Sequence, residues 1–381
     1  MIYRDEPRFP EEPGDFEGLN VMPPAMALAK VSATYFKKDD VTAQIVLRGT
    51  SAADLARELL RWGKVPSANR IVGALNAMGE AAKAVDVRKT LNAAGLNVEP
   101  ENPFEDYAVF LSAEIPTVSP YAGRIHLLWS KMREVVIDNF EAPPNRKLPK
   151  AEYLEQVADI YRHDAYNSLS IEGYSVTPEL IELVRSGRYL DENPENQKHI
   201  DRMAARGYFQ AFQTVWNGVE SILDGEPPGT VVERDLQSWY RQLFSPFVDS
   251  GVIPAYSLAG YRERRVFITN SMHVPPPKTA VADAMEALFK LLKEEEHPGV
   301  RAVLGHFIFV FIHPYSDGNG RVGRFLMNAM LASGGHPWTV IRVTRRKEYM
   351  SALESASVGS DIGPFSRFVC EEMQIDWSKE R

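Results

Sequence analysis

The chain has 381 residues, 44% hydrophobic and 25% charged, with 43 Lys and Arg against 51 Asp and Glu for a formal net charge of −8. That length allows two or three domains with an ample core, and the acidic balance argues against a general nucleic-acid binder. The single cysteine, Cys370, excludes an internal disulfide and points to a reducing compartment.

The first residues, Met1 to Glu6, lack the basic-then-apolar pattern of a secretory signal. The longest apolar stretch, 302–312, is interrupted by Gly305 and His306 and is too short to span a bilayer. The reading is therefore a cytoplasmic protein with no membrane contact. Residues 1–27 are rich in Pro, Glu and Gly and predict an irregular arm. Ser51 is a fair N-cap for a helix over 52–60, and 71–78 and 81–91 read as two more, stopped at Gly95. Such a trio makes either a helix-turn-helix unit or a small bundle, and the lack of a basic recognition face favours the bundle.

A longer helix is predicted over 124–139, with Ile125, Leu128, Met132, Val135 and Val136 on one side, followed by a Pro-containing linker at 142–149. The chain thus divides into an N-terminal region of unknown role, 1–120, and a larger domain, 121–381. Leu154, Val157, Ala158, Tyr161 and Ala165 then recur at helical spacing in a helix of about 153–173. Ser168 and Glu172 share a face of it, and Gly173 is a good residue to end it. Glu172 opposes the dipole of its own helix there, so it is not placed for stability.

Residues 200–223 read as a core helix, 281–294 and 300–312 as two more, and 345–355 and 365–373 as terminal helices. Between them, 264–275 carries two short runs around a polar break, and Val266, Phe267 and Ile268 form the first, which suggests a β-hairpin.

The chemistry concentrates in His313-Pro314-Tyr315-Ser316-Asp317-Gly318-Asn319-Gly320-Arg321-Val322-Gly323-Arg324. Gly318, Asn319 and Gly320 tolerate positive φ, so successive N–H groups can curl toward one point. The amphipathic run 325–332 follows and ends at Ser333-Gly334-Gly335, so the loop opens onto a helix N-terminus, a natural anion site. Arg321 and Arg324 would be disfavoured there by a few tenths to ~1 kcal/mol unless an anion is bound. His313 is suited to accept a proton near neutral pH. Asp317 is a hard oxygen ligand suited to Mg²⁺ already held by phosphates. One rival remains at this level. Residues 318–323 also fit GxGxxG, with 307–312 and 339–343 as flanking strands of a dinucleotide-binding unit. Periodicity alone does not separate a buried strand from a buried helix.

The stretch 313–324 resembles the HPFx(D/E)GNGRxxR signature of the Fic (filamentation induced by cAMP) family, with Tyr315 in place of Phe at an apolar packing position. The resemblance implies a mainly α fold, with 307–312 a buried helix, and transfer of AMP from ATP to a Ser, Thr or Tyr hydroxyl of a target protein. It implies His313 as the catalytic base, Asp317 as the Mg²⁺ ligand, and Asp317, Gly318, Asn319, Gly320, Arg321 and Arg324 as the nucleotide site. Within it, Ser168-Leu169-Ser170-Ile171-Glu172-Gly173 fits the inhibitory motif (S/T)xxxE(G/N), in which the Glu pairs with the second motif arginine, here Arg324. That arrangement is similar to the family's N-terminal-inhibitory class. The hairpin with Val266, Phe267 and Ile268 stands where relatives hold a target segment by strand addition, and Tyr349 where the nucleotide base would lie. The resemblance also admits self-modification and a homodimer. Removal of AMP with Glu172 positioning water, transfer of another nucleotide or a phosphate, and a purely nucleotide-sensing regulator are the alternatives. The small Gly320, where phosphotransferring relatives carry a larger residue, favours AMP transfer. The resemblance does not reach 1–120.

Overall fold

The apolar periodicities resolve into helices in the computed structural model, which describes residues 14–16, 19–62, 64–105, 108–110, 119–140, 148–188 and 197–377. Two short antiparallel strands, β1 (Gly14–Phe16) and β2 (Leu19–Val21), precede the helices. Then come α1 (Pro24–Lys30), α2 (Ala33–Lys38), α3 (Asp40–Gly49), α4 (Ala52–Trp62), α5 (Val65–Ala77), α6 (Ala81–Ala93) and α7 (Pro120–Asn139). The rest of the chain adds α8 (Lys150–Ile171), α9 (Pro178–Arg185), α10 (Gln197–Leu223), α11 (Pro228–Asp249), α12 (Val281–Glu294), α13 (Pro298–Ile312), α14 (Asn319–Ser333), α15 (Arg346–Gly359) and α16 (Gly363–Met373). The fold is mainly α, and the dinucleotide-binding alternative is excluded because 307–312 and 339–343 form no strand.

Contacts divide the chain into two units, Met1–Lys131 and Met132–Arg381, a break that falls within α7 rather than at residue 120. In the first unit Leu47, Leu55, Leu59, Ile71, Leu75, Val87 and Leu91 form one buried cluster. Ser51 caps α4, its Oγ accepting from the Asp54 N–H at 3.1 Å. The expected irregular arm is partly helical. Pro24 opens α1, where a missing N–H is harmless, so a proline-rich stretch marks a helix start. Residues 1–13, 17 and 18 of the arm lie outside the described residues, as do 142–147 of the expected linker.

In the second unit α10 runs along α11 and α13 along α14, with α10 also against α8 and α14. Phe307, Ile308, Phe309, Phe311 and Ile312 of α13 are all buried. A helix that is apolar all round belongs in a core, each such side chain contributing roughly 1.5–3 kcal/mol. That burial fixes the end of α13, and hence His313, against the start of α14.

The segment 264–275 does not pair as a hairpin. It runs without regular structure around a turn at 269–270, with Asn270 at φ 61°. Its hydrogen bonds go elsewhere: Ser271 Oγ and the Met272 N–H donate to the Glu354 carboxylate at 2.5 and 2.7 Å, and His273 Nε2 donates to the Phe311 carbonyl at 2.7 Å. Among the described residues, no helix is long and apolar enough to cross a membrane.

Candidate active site

His313 is the C-cap of α13 and adopts a left-handed conformation, φ 53° and ψ 59°. That backbone is uncommon for a non-glycine residue and is held from outside. Arg262, 5% exposed, supplies the hold. Its Nε donates to the His313 carbonyl at 2.8 Å, its own N–H to the Pro314 carbonyl at 2.9 Å, and its Nη1 and Nη2 to the carbonyls of Arg264 and Pro276 at 3.0 and 2.5 Å. His313 Nδ1 lies 3.3 Å from the Val310 carbonyl. A carbonyl only accepts, so the proton sits on Nδ1 and Nε2 carries the lone pair. Burial, with the nearby Arg262 charge, holds the imidazole below its ordinary value against the pull of the Val310 carbonyl, so it is neutral at pH 7.

The loop closes on itself. Asn319 Oδ1 accepts from the Tyr315 N–H at 3.0 Å, and its Nδ2 donates to the Tyr315 carbonyl at 2.8 Å. Both ends of this amide help shape the loop, each with one further hydrogen-bonding position left over. The Tyr315 ring stacks on Tyr240 at 3.7 Å, and its hydroxyl donates to Gln237 at 2.9 Å, so the extra oxygen relative to Phe has a partner. Of Gly318, Asn319 and Gly320, Gly318 is the one in a left-handed conformation, φ 80°. Helix α14 begins immediately at Asn319, which places Arg321 in its first turn but Arg324 in its second.

Asp317 is the exposed member of the set: Oδ1 accepts from the Gly318 N–H at 2.6 Å and Oδ2 faces Arg321 Nη2 at 3.2 Å. Arg321 is fully buried, its guanidinium carbon 5.2 Å from the Tyr174 ring centroid and 5.0 Å from that of Phe244. Its Nε and Nη1 find no hydrogen-bond acceptor among the described residues. Arg324, also buried, donates from Nε to Ser168 Oγ at 2.7 Å and from Nη2 to the Ser168 carbonyl at 3.1 Å and Glu172 Oε1 at 2.7 Å. Its Nη1 has no acceptor among the described residues. Two buried guanidinium groups with unmet donors beside a helix N-terminus define a polyanion site.

Glu172 caps α8. The next residue, Gly173, has φ 91°, and its N–H and that of Tyr174 return to the carbonyls of Ser170 and Leu169, each at 3.1 Å. This is the Schellman pattern, and it aims Glu172 at the loop. Burial raises the Glu172 carboxyl, but the charges of Arg324 and Arg321 outweigh it and hold it below the usual range. A Cβ on Gly320 would stand 2.3 Å from Glu172 Oε1, so only glycine leaves room for the carboxylate.

Thus His313, Asp317, Gly318, Asn319, Gly320, Arg321, Arg324, Ser168, Glu172 and Gly173 converge. Val266, Phe267 and Ile268 follow Arg264, whose carbonyl accepts from Arg262, and Phe267 is 69% exposed. Tyr349 departs from expectation: it is 1% exposed and bonded to His306 at 2.8 Å, a core residue with no face for a base. Arg262, Phe244 and Tyr174 carry no motif and were not legible, although Tyr174 directly follows Gly173. A cavity of about 590 Å³ beside α8, lined by Tyr153, His163 and Trp377, includes none of the loop residues. No cluster of three or more His, Cys, Asp or Glu suited to a metal occurs among the described residues.

A left-handed glycine turn opening a helix, buried arginines around it and a neutral histidine at its entrance form an arrangement chemically able to receive a polyanion. Residues 230–331 match the Fic/DOC family. The chain is 43% identical over 122 residues to a protein adenylyltransferase Fic of Nematostella vectensis, covering 30% of this chain and 28% of that protein. It is 37% identical over 224 residues to the Drosophila melanogaster protein of the same description, covering 57% and 42%. The chain therefore spans less than half the length of these relatives. Fic-1 from C. elegans has a related arrangement over 92% of this chain and 96% of its own, at 17% identity and a TM-score of 0.48.

Proposed function

We propose that this chain transfers AMP from ATP to a Ser, Thr or Tyr hydroxyl of a protein, and that it is held off by Glu172. The observation that carries the proposal is the pair of buried, incompletely partnered guanidinium groups, Arg321 and Arg324, beside the Gly318 turn and the neutral His313. The description of the relatives as protein adenylyltransferases supports the same reading.

In this mechanism the polyphosphate lies at the N-terminus of α14, where the first backbone N–H groups have no intrahelical acceptor. Arg321 and Arg324 neutralise the β- and γ-phosphates. The exposed Asp317 carboxylate fits Mg²⁺, which takes one or two carboxylates plus substrate phosphates; when bound, the ion would offset charge on the phosphate oxygens. His313 Nε2 accepts the proton of the target hydroxyl. That oxygen bonds to the α-phosphorus, the bond to the α–β bridging oxygen breaks, and pyrophosphate leaves. Stabilising charge spread over phosphate oxygens is the main task.

The Glu172 contact is the basis for assigning the N-terminal-inhibitory arrangement. While Arg324 is held by Ser168 and Glu172 it cannot take the γ-phosphate, and the carboxylate repels that group. The exposed Phe267 and its neighbours Val266 and Ile268 are the proposed target-binding edge, offering backbone groups to an added strand. The lone cysteine suits a cytoplasmic location.

The test is label transfer to protein from ATP labelled on the α-phosphate or on the γ-phosphate, with and without EDTA. Transfer from the α position only, abolished by EDTA, is expected. Label from the γ position only would mean phosphoryl transfer and overturn the reading.

A further inference from the structure

Glu172 and Tyr174 flank Gly173 and engage two different arginines of the same site. Glu172 takes Nη2 of Arg324 at 2.7 Å, whereas the Tyr174 ring lies over Arg321 at 5.2 Å. Their chemical consequences are opposite. A carboxylate on Arg324 occupies a donor that a phosphate needs. An aromatic ring over Arg321 brings no formal negative charge, and Nε and Nη1 keep no acceptor among the described residues.

The environment of Arg321 makes that distinction concrete. Tyr174 covers one side and Phe244 approaches at 5.0 Å, so the cation is fully buried, with Asp317 3.2 Å from Nη2 and the Glu172 charge also felt. Two edge donors, Nε and Nη1, are unmet among the described residues. A guanidinium held beside two rings loses little further freedom when its unmet donors reach an anion, which favours binding. Tyr174 owes its place to backbone alone: the left-handed Gly173 and the N–H bond from Tyr174 to the Leu169 carbonyl at 3.1 Å. Neither depends on the Glu172 side chain.

We propose that Tyr174 is a positioning residue for Arg321, holding the guanidinium where its unmet donors can meet the nucleotide phosphates, and that the α8 cap therefore stays in place when Glu172 releases Arg324. Activation is then a rotation of the Glu172 side chain, not departure of the helix end. The inference rests on the nucleotide reading of the site.

The experiment uses the full chain carrying Glu172→Gly, with Tyr174→Ala, Tyr174→Leu or Tyr174→Phe added. The affinity for ATP with Mg²⁺ is measured by calorimetry, alongside KM for ATP, kcat and the thermal unfolding midpoint. Tyr174→Ala and Tyr174→Leu should weaken ATP binding and raise KM about tenfold, the scale of a desolvated cation–π contact, with kcat and the unfolding midpoint little changed. Tyr174→Phe should stay within about twofold of the parent. Unchanged ATP affinity in Tyr174→Leu would overturn the proposal, as would an equal loss in Tyr174→Phe, which would assign the effect to the hydroxyl. It is overturned too if Tyr174→Ala, with Glu172 intact, activates the enzyme as Glu172→Gly does, since Tyr174 would then be a second inhibitory contact. Calorimetry keeps the two readings apart: if the Glu172→Gly parent binds ATP but transfers nothing, the AMP-transfer reading fails while the ring effect on binding is still measured.

Discussion

Glu172 Oε1 lies 2.7 Å from Nη2 of Arg324, joining residues 152 apart in the chain. Glu172, as the cap ending α8, opposes the dipole of its own helix, whereas Arg324 lies in the second turn of α14, past the reach of that helix's N-terminal charge. The Arg324 charge offsets the unfavourable place of Glu172. The pair is single-pronged, because Arg324 gives Nε to Ser168 Oγ at 2.7 Å and shares Nη2 with the Ser168 carbonyl at 3.1 Å.

That geometry grades the variants. Ser168→Ala removes one acceptor and leaves the carboxylate contact, so it should release inhibition less than Glu172→Gly. Arg324→Ala frees Glu172 but removes the γ-phosphate ligand, so it should not activate. The transfer rates of the three variants check the order, and an Arg324→Ala enzyme faster than wild type would contradict the role given to Arg324.

His313 should set the acid limb of activity. Its folded-state value is depressed, chiefly by burial. The base is therefore deprotonated throughout neutral pH, and kcat/KM should fall only below the ordinary histidine range. His313→Ala should lose at least ~10²-fold of activity, the low end for acid–base catalysis, while still binding ATP. A pH–rate profile with its midpoint above 7 would remove the imidazole from this role.

Arg262 ties the backbone of His313 and Pro314 to the segment beyond it through bonds to four carbonyls. Lysine lacks the planar fork that makes several of these bonds at once. Arg262→Lys should lower kcat at least about tenfold, because small misplacements of reacting groups are expensive, and leave KM for ATP nearly unchanged. Equal effects on kcat and on ATP affinity would point to general loosening of the loop.

How much of this was written in the sequence varies with the kind of contact. The loop 313–324 and the run 168–173 were legible because residue identity carries their chemistry: glycines at turns, an imidazole, paired arginines and a misplaced acid. Arg262, Phe244 and Tyr174 were not, since their roles arise from contacts across elements that no local pattern encodes. The hairpin expected over 264–275 followed β-branched spacing, but Glu354 and the Phe311 carbonyl take the hydrogen bonds of its second half. Helix α11 was obscured by Pro246 within it and by the glycine and prolines at its start. The buried α13 read equally as strand or helix until its length and partners were known.

Asp164 offers a stability test. It is 2% exposed and accepts a 2.7 Å bond from the Tyr208 hydroxyl. Burial pushes its carboxyl up to about 6, opposed by the Tyr208 bond and, more weakly, by the Arg324 charge. A raised folded-state value means stability that is fully present below the unfolded carboxylate range near 4 and is lost as pH rises through 6. A shift of about two units corresponds to about 3 kcal/mol. Asp164→Asn, which can still accept from Tyr208, should flatten the fall in stability between pH 4 and 6.5 and be the more stable chain at pH 7.5. Denaturant unfolding across that range checks it, and identical pH dependence in the two chains would show that Asp164 is not the group responsible.

The central claim is that this chain moves AMP and that Glu172 holds it back. Holding ~99% of molecules in the blocked state takes only ~2.7 kcal/mol, within reach of a partly buried carboxylate–guanidinium pair with its Ser168 bonds. The direct measurement is the rate of α-phosphate label transfer from ATP to protein by Glu172→Gly beside wild type, at matched folding. The account predicts at least a tenfold increase on the population argument, with no label from the γ position. A Glu172→Gly enzyme no faster than an already active wild type would contradict it.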